Sequence, residues 1–189
     1  MRLIALVLFA LISVTDAIAQ TTAYDLTVTA DNTKSNGSPW DGVPGLRDSA
    51  ANFNSKPDIA VCIVEPDKSP QCIWRPQGRR LFSVCQNAHT CKFDNVTLPP
   101  VPFGLLFIDI DARRHDLIDI AIMTGNATTA GEAGIERALR AALATLTPAL
   151  SESAADRGLL KAKTLPLQQC IATAECRLSQ SAFKLRRRE

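Results

Sequence analysis

The chain has 189 residues and sets 21 Lys and Arg against 19 Asp and Glu, a formal net charge of +2. That balance is too slight to hold a polyanion by overall charge, so nucleic acid is not an expected partner. The length and a 46% share of hydrophobic residues suit one domain with a real core.

Arg2, the apolar run Leu3–Val14 broken only by Ser13, and the small residues Ala17 and Ala19 have the order of an export signal cleaved before Gln20. A membrane span needs about 20 apolar residues, and Asp16 cuts this run short. Residues 1–19 are therefore expected to be a signal peptide, and the location secreted or periplasmic. All six cysteines follow it: Cys62, Cys72, Cys85, Cys91, Cys170 and Cys176. An even number in an exported chain favours disulfides. Proximity pairs Cys62 with Cys72, Cys85 with Cys91 and Cys170 with Cys176. Zinc sites prefer closer pairs such as C-x₂-C, and the chain has none.

From Tyr24 to Met123 the pattern is that of strands. Tyr24, Leu26 and Val28 alternate with Asp25, Thr27 and Thr29, as in a half-buried strand. Residues 31–56 are rich in Asn, Gly, Ser, Pro and Asp and read as a long loop. Further strands are expected at 59–64, 71–74, 81–84, 92–98, 105–108 and 117–123, with Pro99-Pro100-Val101-Pro102 as a stiff connector. Short strands at this spacing predict a mainly β chain, an antiparallel β-sandwich.

The character changes at Thr124. Thr129 and Glu132 have capping-box spacing. Ile135, Ala138, Leu139, Ala142, Leu143 and Leu146 share one helical face, Glu136 can pair with Arg140 on the other, and Pro148 ends the helix. This amphipathic helix is expected to pack on the sandwich. Residues 151–163 read as a linker, followed by a short disulfide-bearing tail with a strand near 178–185. The expected division is thus a signal at 1–19, a sandwich domain at 20–124 and an extension at 125–189. The basic cluster Lys184–Arg188 reads as a solvated chain end, with contact to an anionic surface as the other reading.

The residues suited to chemistry are aspartates at strand ends. Asp109 and Asp111 follow the apolar run Leu105–Ile108, and residues two apart in an extended stretch point to one side. Asp116 can return to the same point, and Asp58 and Asp41 can complete a ring if their loops meet there. Such a ring offers only hard oxygen donors, which suits calcium. Carboxylates crowded without a cation would otherwise raise one another's pKa.

Asp58-Ile-Ala-Val-Cys-Ile and the later Leu-Leu-Phe-Ile-Asp109-Ile-Asp111-Ala-Arg-Arg-His115-Asp116-Leu-Ile resemble the C2 domain, the eight-stranded calcium- and phospholipid-binding β-sandwich. The resemblance covers about residues 24–123. In that family an Asp precedes the second strand, an Asp-x-Asp closes a later strand, and a further Asp follows in the same loop. Asn87 and Phe93 fit a turn and strand of the family loosely. Three departures stand out. The first loop is long, so Asp48 competes with Asp41. The stretch between Asp111 and Asp116 is short. Asp119 stands where the family often has Gly. The resemblance implies an exported, non-catalytic binding module with a Ca2+ site at Asp58, Asp109, Asp111, Asp116 and Asp41, docking an anionic membrane surface or a protein partner. The alternative is a metal-free structural or interaction protein of the same fold, whose helix near 130–147 or basic tail meets a partner; the other reading of Asp109 and Asp111 is that they cap a turn and pair with Arg113 and Arg114.

The sequence carries no G-x-S-x-G, H-E-x-x-H or phosphate-cradling Gly loop. Metal-assisted hydrolysis with His115 beside the aspartates is the one enzymatic candidate, and no enzyme is expected. Trp40 and Trp74 are expected to be buried rather than inserted in a membrane. Asn36, Asn95 and Asn126 begin glycosylation sequons.

Overall fold

In a computed structural model of the chain, which describes residues 22–40, 56–73, 85–110, 115–125, 132–146 and 159–189, the alternating segment at Tyr24 becomes β1 (Ala23–Ala30). It buries Tyr24, Leu26, Val28 and Ala30. The dense apolar segments become β2 (Ile59–Val64), β5 (Phe103–Asp109) and β6 (Asp116–Thr124). β3 (Gln71–Ile73) and β4 (Thr90–Thr97) lie between them. The amphipathic stretch forms α1 (Glu132–Leu146). Then come β7 (Lys163–Pro166), the short helix α2 (Leu167–Ala172), β8 (Cys176–Arg177) and β9 (Ser181–Arg187). The export signal, the strand expected at 81–84, Trp74 and the cap at Thr129 lie outside the described residues.

The strands form two sheets, as a mainly β sandwich requires. One has the order β4-β1-β9-β8 and the other β3-β2-β5-β6-β7. Their facing sides bury Leu26, Val28, Phe93 and Phe183 against Ile59, Val61, Leu105, Phe107 and Met123. Phe107 and Phe183 meet across the gap with ring centroids 5.6 Å apart.

β2 and β5 are apolar on both faces, so the outer face of the five-stranded sheet also needs cover. α1 provides it. Ile135, Leu139, Ala142 and Leu143 pack on Ala60, Cys62, Val64, Leu106, Ile108, Ile120 and Ile122. Gly104 admits the helix: a Cβ there would lie 2.6 Å from Leu139 Cδ2.

The antiparallel expectation meets one exception. β7 runs parallel to β6, because parallel neighbours need a long crossover and α1 supplies it. The segment expected as an extension also belongs to the sandwich. β9 pairs with β1 along seven residues, and β7 closes one side of the other sheet. The cause is the apolar set Leu178, Phe183 and Leu185, all buried in the core between the sheets. All three disulfides pair as proximity indicates, Cys62–Cys72, Cys85–Cys91 and Cys170–Cys176. Three bridges fit an oxidising, extracellular environment.

Two expectations follow. A fragment ending at Thr124 loses β9, which bares one edge of β1 and removes Phe183 and Leu185 from the core, so its circular dichroism and near-UV spectra should show no cooperative fold; a cooperatively folding fragment would restore the division at 124. Gly104→Val should lower stability by about 1–3 kcal/mol in denaturant titration by displacing Leu139.

Candidate functional site at the loop end

Strand register decides which carboxylates meet. Asp109 is the last residue of β5 and pairs with Ile59 on one side and Asp116 on the other. Asp58 immediately precedes β2. Asp58, Asp109 and Asp116 therefore come to one end of the sandwich. Asp41, Asp48, Asp111, Arg113 and Arg114 lie outside the described residues.

Each of the three carboxylates is engaged by the protein. Asp109 shares the inward side of β5 with Phe107 and is fully buried. Its Oδ1 accepts a 2.7 Å bond from the Asp58 N–H, while the Ile110 N–H donates to the Asp58 carbonyl at 3.0 Å. The Asp58 carboxylate accepts from the Asn87 N–H at 2.5 Å. Asn87 has a positive φ of 49°, a conformation that Asn tolerates better than most residues. Its own Oδ1 accepts from the Lys56 N–H at 3.0 Å, which ties the loop before β4 to the entry of β2. Asp116 forms an ion pair with Lys34, which also stands 5.7 Å from the centre of the Trp40 ring.

Lys34 is held in place by its surroundings. The Gly37 N–H donates to the Lys34 carbonyl at 2.8 Å, and the Lys34 N–H donates to the Ser38 carbonyl at 2.9 Å. The Ser35 N–H donates to Gln180 Oε1 at 2.6 Å. Trp40 is buried and donates from Nε1 to the Asp31 carbonyl, so it is a core residue and no membrane anchor. Its burial agrees with the expectation for Trp.

A fourth carboxylate joins the two sheets. The register between β5 and β6 shifts between Phe107 and Ile108, which pair with Asp119 and Leu117. Ile118 is the extra residue of a bulge, and bulges re-aim side chains. The bulge brings Ile118 to the inner side as well, while Asp119 alternates with Ala121 and Met123 and so faces the space between the sheets. There it accepts from the Gln180 N–H at 2.7 Å and the Ser181 hydroxyl at 2.8 Å. Gln180 in turn donates from Nε2 to the Ile118 carbonyl, and its carbonyl accepts from the Asp31 N–H. Burial pushes the Asp119 carboxyl above its ordinary pKa, against the pull of the hydrogen bonds from residues 179–181.

Sequence reasoning missed Lys34, Gln180 and Ser181, and it saw Asp119 only as a departure from a pattern. The partners that place them here are 61 to 145 positions away, and no local signal announces them. Nδ1 of His89 and of His115 is buried and has no hydrogen-bond partner among the described residues. Among those residues no group of three or more His, Cys, Asp or Glu side chains is arranged to hold a metal ion. None of their helices is long and apolar enough to cross a membrane.

No family model, curated protein or solved structure matches the chain.

Asp119→Ala leaves the buried donors of residues 180 and 181 without an acceptor and should cost about 2–3 kcal/mol in denaturant unfolding. The raised pKa also fixes a pH dependence. Its contribution is full below the ordinary carboxylate pKa and falls as pH rises through the raised folded value. Asp119→Asn should remove that part of the slope of stability against pH.

Proposed function

We propose that the chain is an exported, non-catalytic binding module resembling a C2 domain, with its acidic loop end closed by its own side chains. The observation that carries this reading is the Lys34–Asp116 ion pair. The Lys34 ammonium brings to Asp116 the positive charge that a calcium ion would otherwise supply. One oxygen of each neighbouring carboxylate accepts a backbone hydrogen bond, Asp109 Oδ1 from the Asp58 N–H and Asp58 Oδ1 from the Asn87 N–H. The resemblance is supported by the two-sheet architecture and by Asp58 and Asp109 standing where β2 begins and β5 ends. A secreted or periplasmic location is supported by the disulfides and the N-terminal apolar run. The non-catalytic reading is supported by the lack of nucleophile and metalloprotease motifs in the sequence.

A second reading has Ca2+ held by Asp58, Asp109, Asp111 and Asp116, with Asp41 as a further ligand. It is favoured by the meeting of Asp58, Asp109 and Asp116 at one end, and it requires Lys34 to leave Asp116. Bound calcium would then present the loops to an anionic head group or a protein partner.

Thermal unfolding of the oxidised protein in calcium and in chelator separates the two. The metal-free reading predicts equal stability in both, and a loss of about 1–2 kcal/mol in Lys34→Met because a half-buried ion pair is broken. The calcium reading predicts stabilisation by about 2.7 kcal/mol at roughly 100 times the dissociation constant, abolished in Asp109→Asn.

A further inference from the structure

The first loop carries Lys34 on a small closed turn, which contains the one asparagine of the chain that precedes a glycine, Asn36-Gly37. The Lys34 N–H donates to the Ser38 carbonyl, and the Gly37 N–H donates back to the Lys34 carbonyl. Gly37 has a φ of 77°, a conformation open to glycine without steric cost. Nothing beyond its neighbours in the chain lies within 4 Å of where a Cβ would stand. Asn36 and Gly37 are both exposed.

Ser38 holds the Asn36 carboxamide by its oxygen. Asn36 Oδ1 accepts from the Ser38 N–H at 3.0 Å and from the Ser38 hydroxyl at 2.6 Å. Two donors on a carbonyl oxygen stabilise the negative charge that gathers there when a nucleophile adds to its carbon. The neighbouring nucleophile is the Gly37 amide nitrogen, with no side chain to bar its approach. Attack requires the bond from Gly37 to Lys34 to open, whereas the bonds from Ser38 are local to residues 36–38 and do not depend on it.

We propose that Asn36 is a site of spontaneous deamidation, and that its isoaspartyl product loosens the turn that holds Lys34. Hydroxide takes the Gly37 amide proton, and the nitrogen bonds to Asn36 Cγ. The Cγ–Nδ2 bond then breaks, and the leaving nitrogen takes a proton from water to depart as ammonia, which regenerates hydroxide. Water next opens the cyclic imide. Cleavage at Cγ leaves aspartate, and cleavage at the former main-chain carbonyl leaves isoaspartate, whose main chain runs through Cβ and Cγ. That added backbone carbon sits inside the ring closed by Lys34 and Ser38, and the new carboxylate competes with Asp116 for the Lys34 ammonium. The covalent step stands apart from the function proposed above; the loosening of Lys34 rests on the closed loop end described there.

The test is incubation of the mature, oxidised and unglycosylated protein over days at neutral and at mildly alkaline pH, followed by peptide mapping with mass spectrometry. Replacement of the carboxamide by a carboxylate is expected at Asn36, faster at the higher pH, while Asn87 and Asn95, which precede Ala and Val, stay intact. Ser38→Ala removes the hydroxyl donor and keeps the backbone donor, and should slow the reaction about two- to tenfold, the effect of one hydrogen bond. The separated isoaspartyl form should exchange the Lys34 amide faster than the unaged protein in native-state hydrogen exchange. Deamidation at Asn36 no faster than at Asn87 and Asn95, or a Ser38→Ala rate equal to the parent's, would overturn the site. Unchanged Lys34 exchange in the isoaspartyl form would overturn its effect on the turn. Slow exchange at Ser35 in the unaged protein tests the closed loop end by itself, so the two failures are told apart.

Discussion

Asp119 reaches from β6 across to the turn between β8 and β9, and the arrangement of the loop end depends on that crossing. Its carboxylate holds the Gln180 N–H and the Ser181 hydroxyl, which fixes Gln180. Gln180 then holds the first loop through the Asp31 and Ser35 N–H groups. That loop carries Lys34 to Asp116. A buried carboxylate with several donors is costly to disturb, since each orphaned donor keeps its full desolvation penalty. The chain of contacts thus passes from one sheet to the other and back again.

The second constraint is the two-sided apolar character of the five-stranded sheet. Ile59, Val61 and Ile63 on one side of β2, and Ala60, Cys62 and Val64 on the other, are all buried. One side takes the four-stranded sheet and the other takes α1. Covering the second side lets the chain cross over and lay β7 parallel to β6. From there α2 and the Cys170–Cys176 bridge lead into β8 and β9. The segment after residue 124 is consequently structural.

Much of this was legible where the signal is local. Alternation marks β1, and apolar runs mark β2, β5 and β6. Helical spacing of Ile135, Leu139, Ala142 and Leu143 marks α1 and its buried face. Short separations paired the cysteines. The meeting of Asp58, Asp109 and Asp116 followed from their places at strand ends. What was not legible is non-local or irregular. Lys163–Pro166 is a strand because β6 is beside it, as four residues with little pattern do not declare one. Alternation with Ala121 and Met123 turns Asp119 inward, but nothing near it in sequence names its partners at Gln180 and Ser181. Lys34 meets Asp116 across 82 positions, through a loop whose composition shows only that it is a loop.

The most direct test is native-state amide hydrogen exchange in chelator, followed at Ser35, Asp58, Asn87 and Gln180. These four amides donate the bonds that close the loop end, to Gln180, Asp109, Asp58 and Asp119 respectively. A loop end closed by its own side chains predicts slow exchange at all four, unchanged by calcium. Rapid exchange in chelator with protection gained on adding calcium would contradict it.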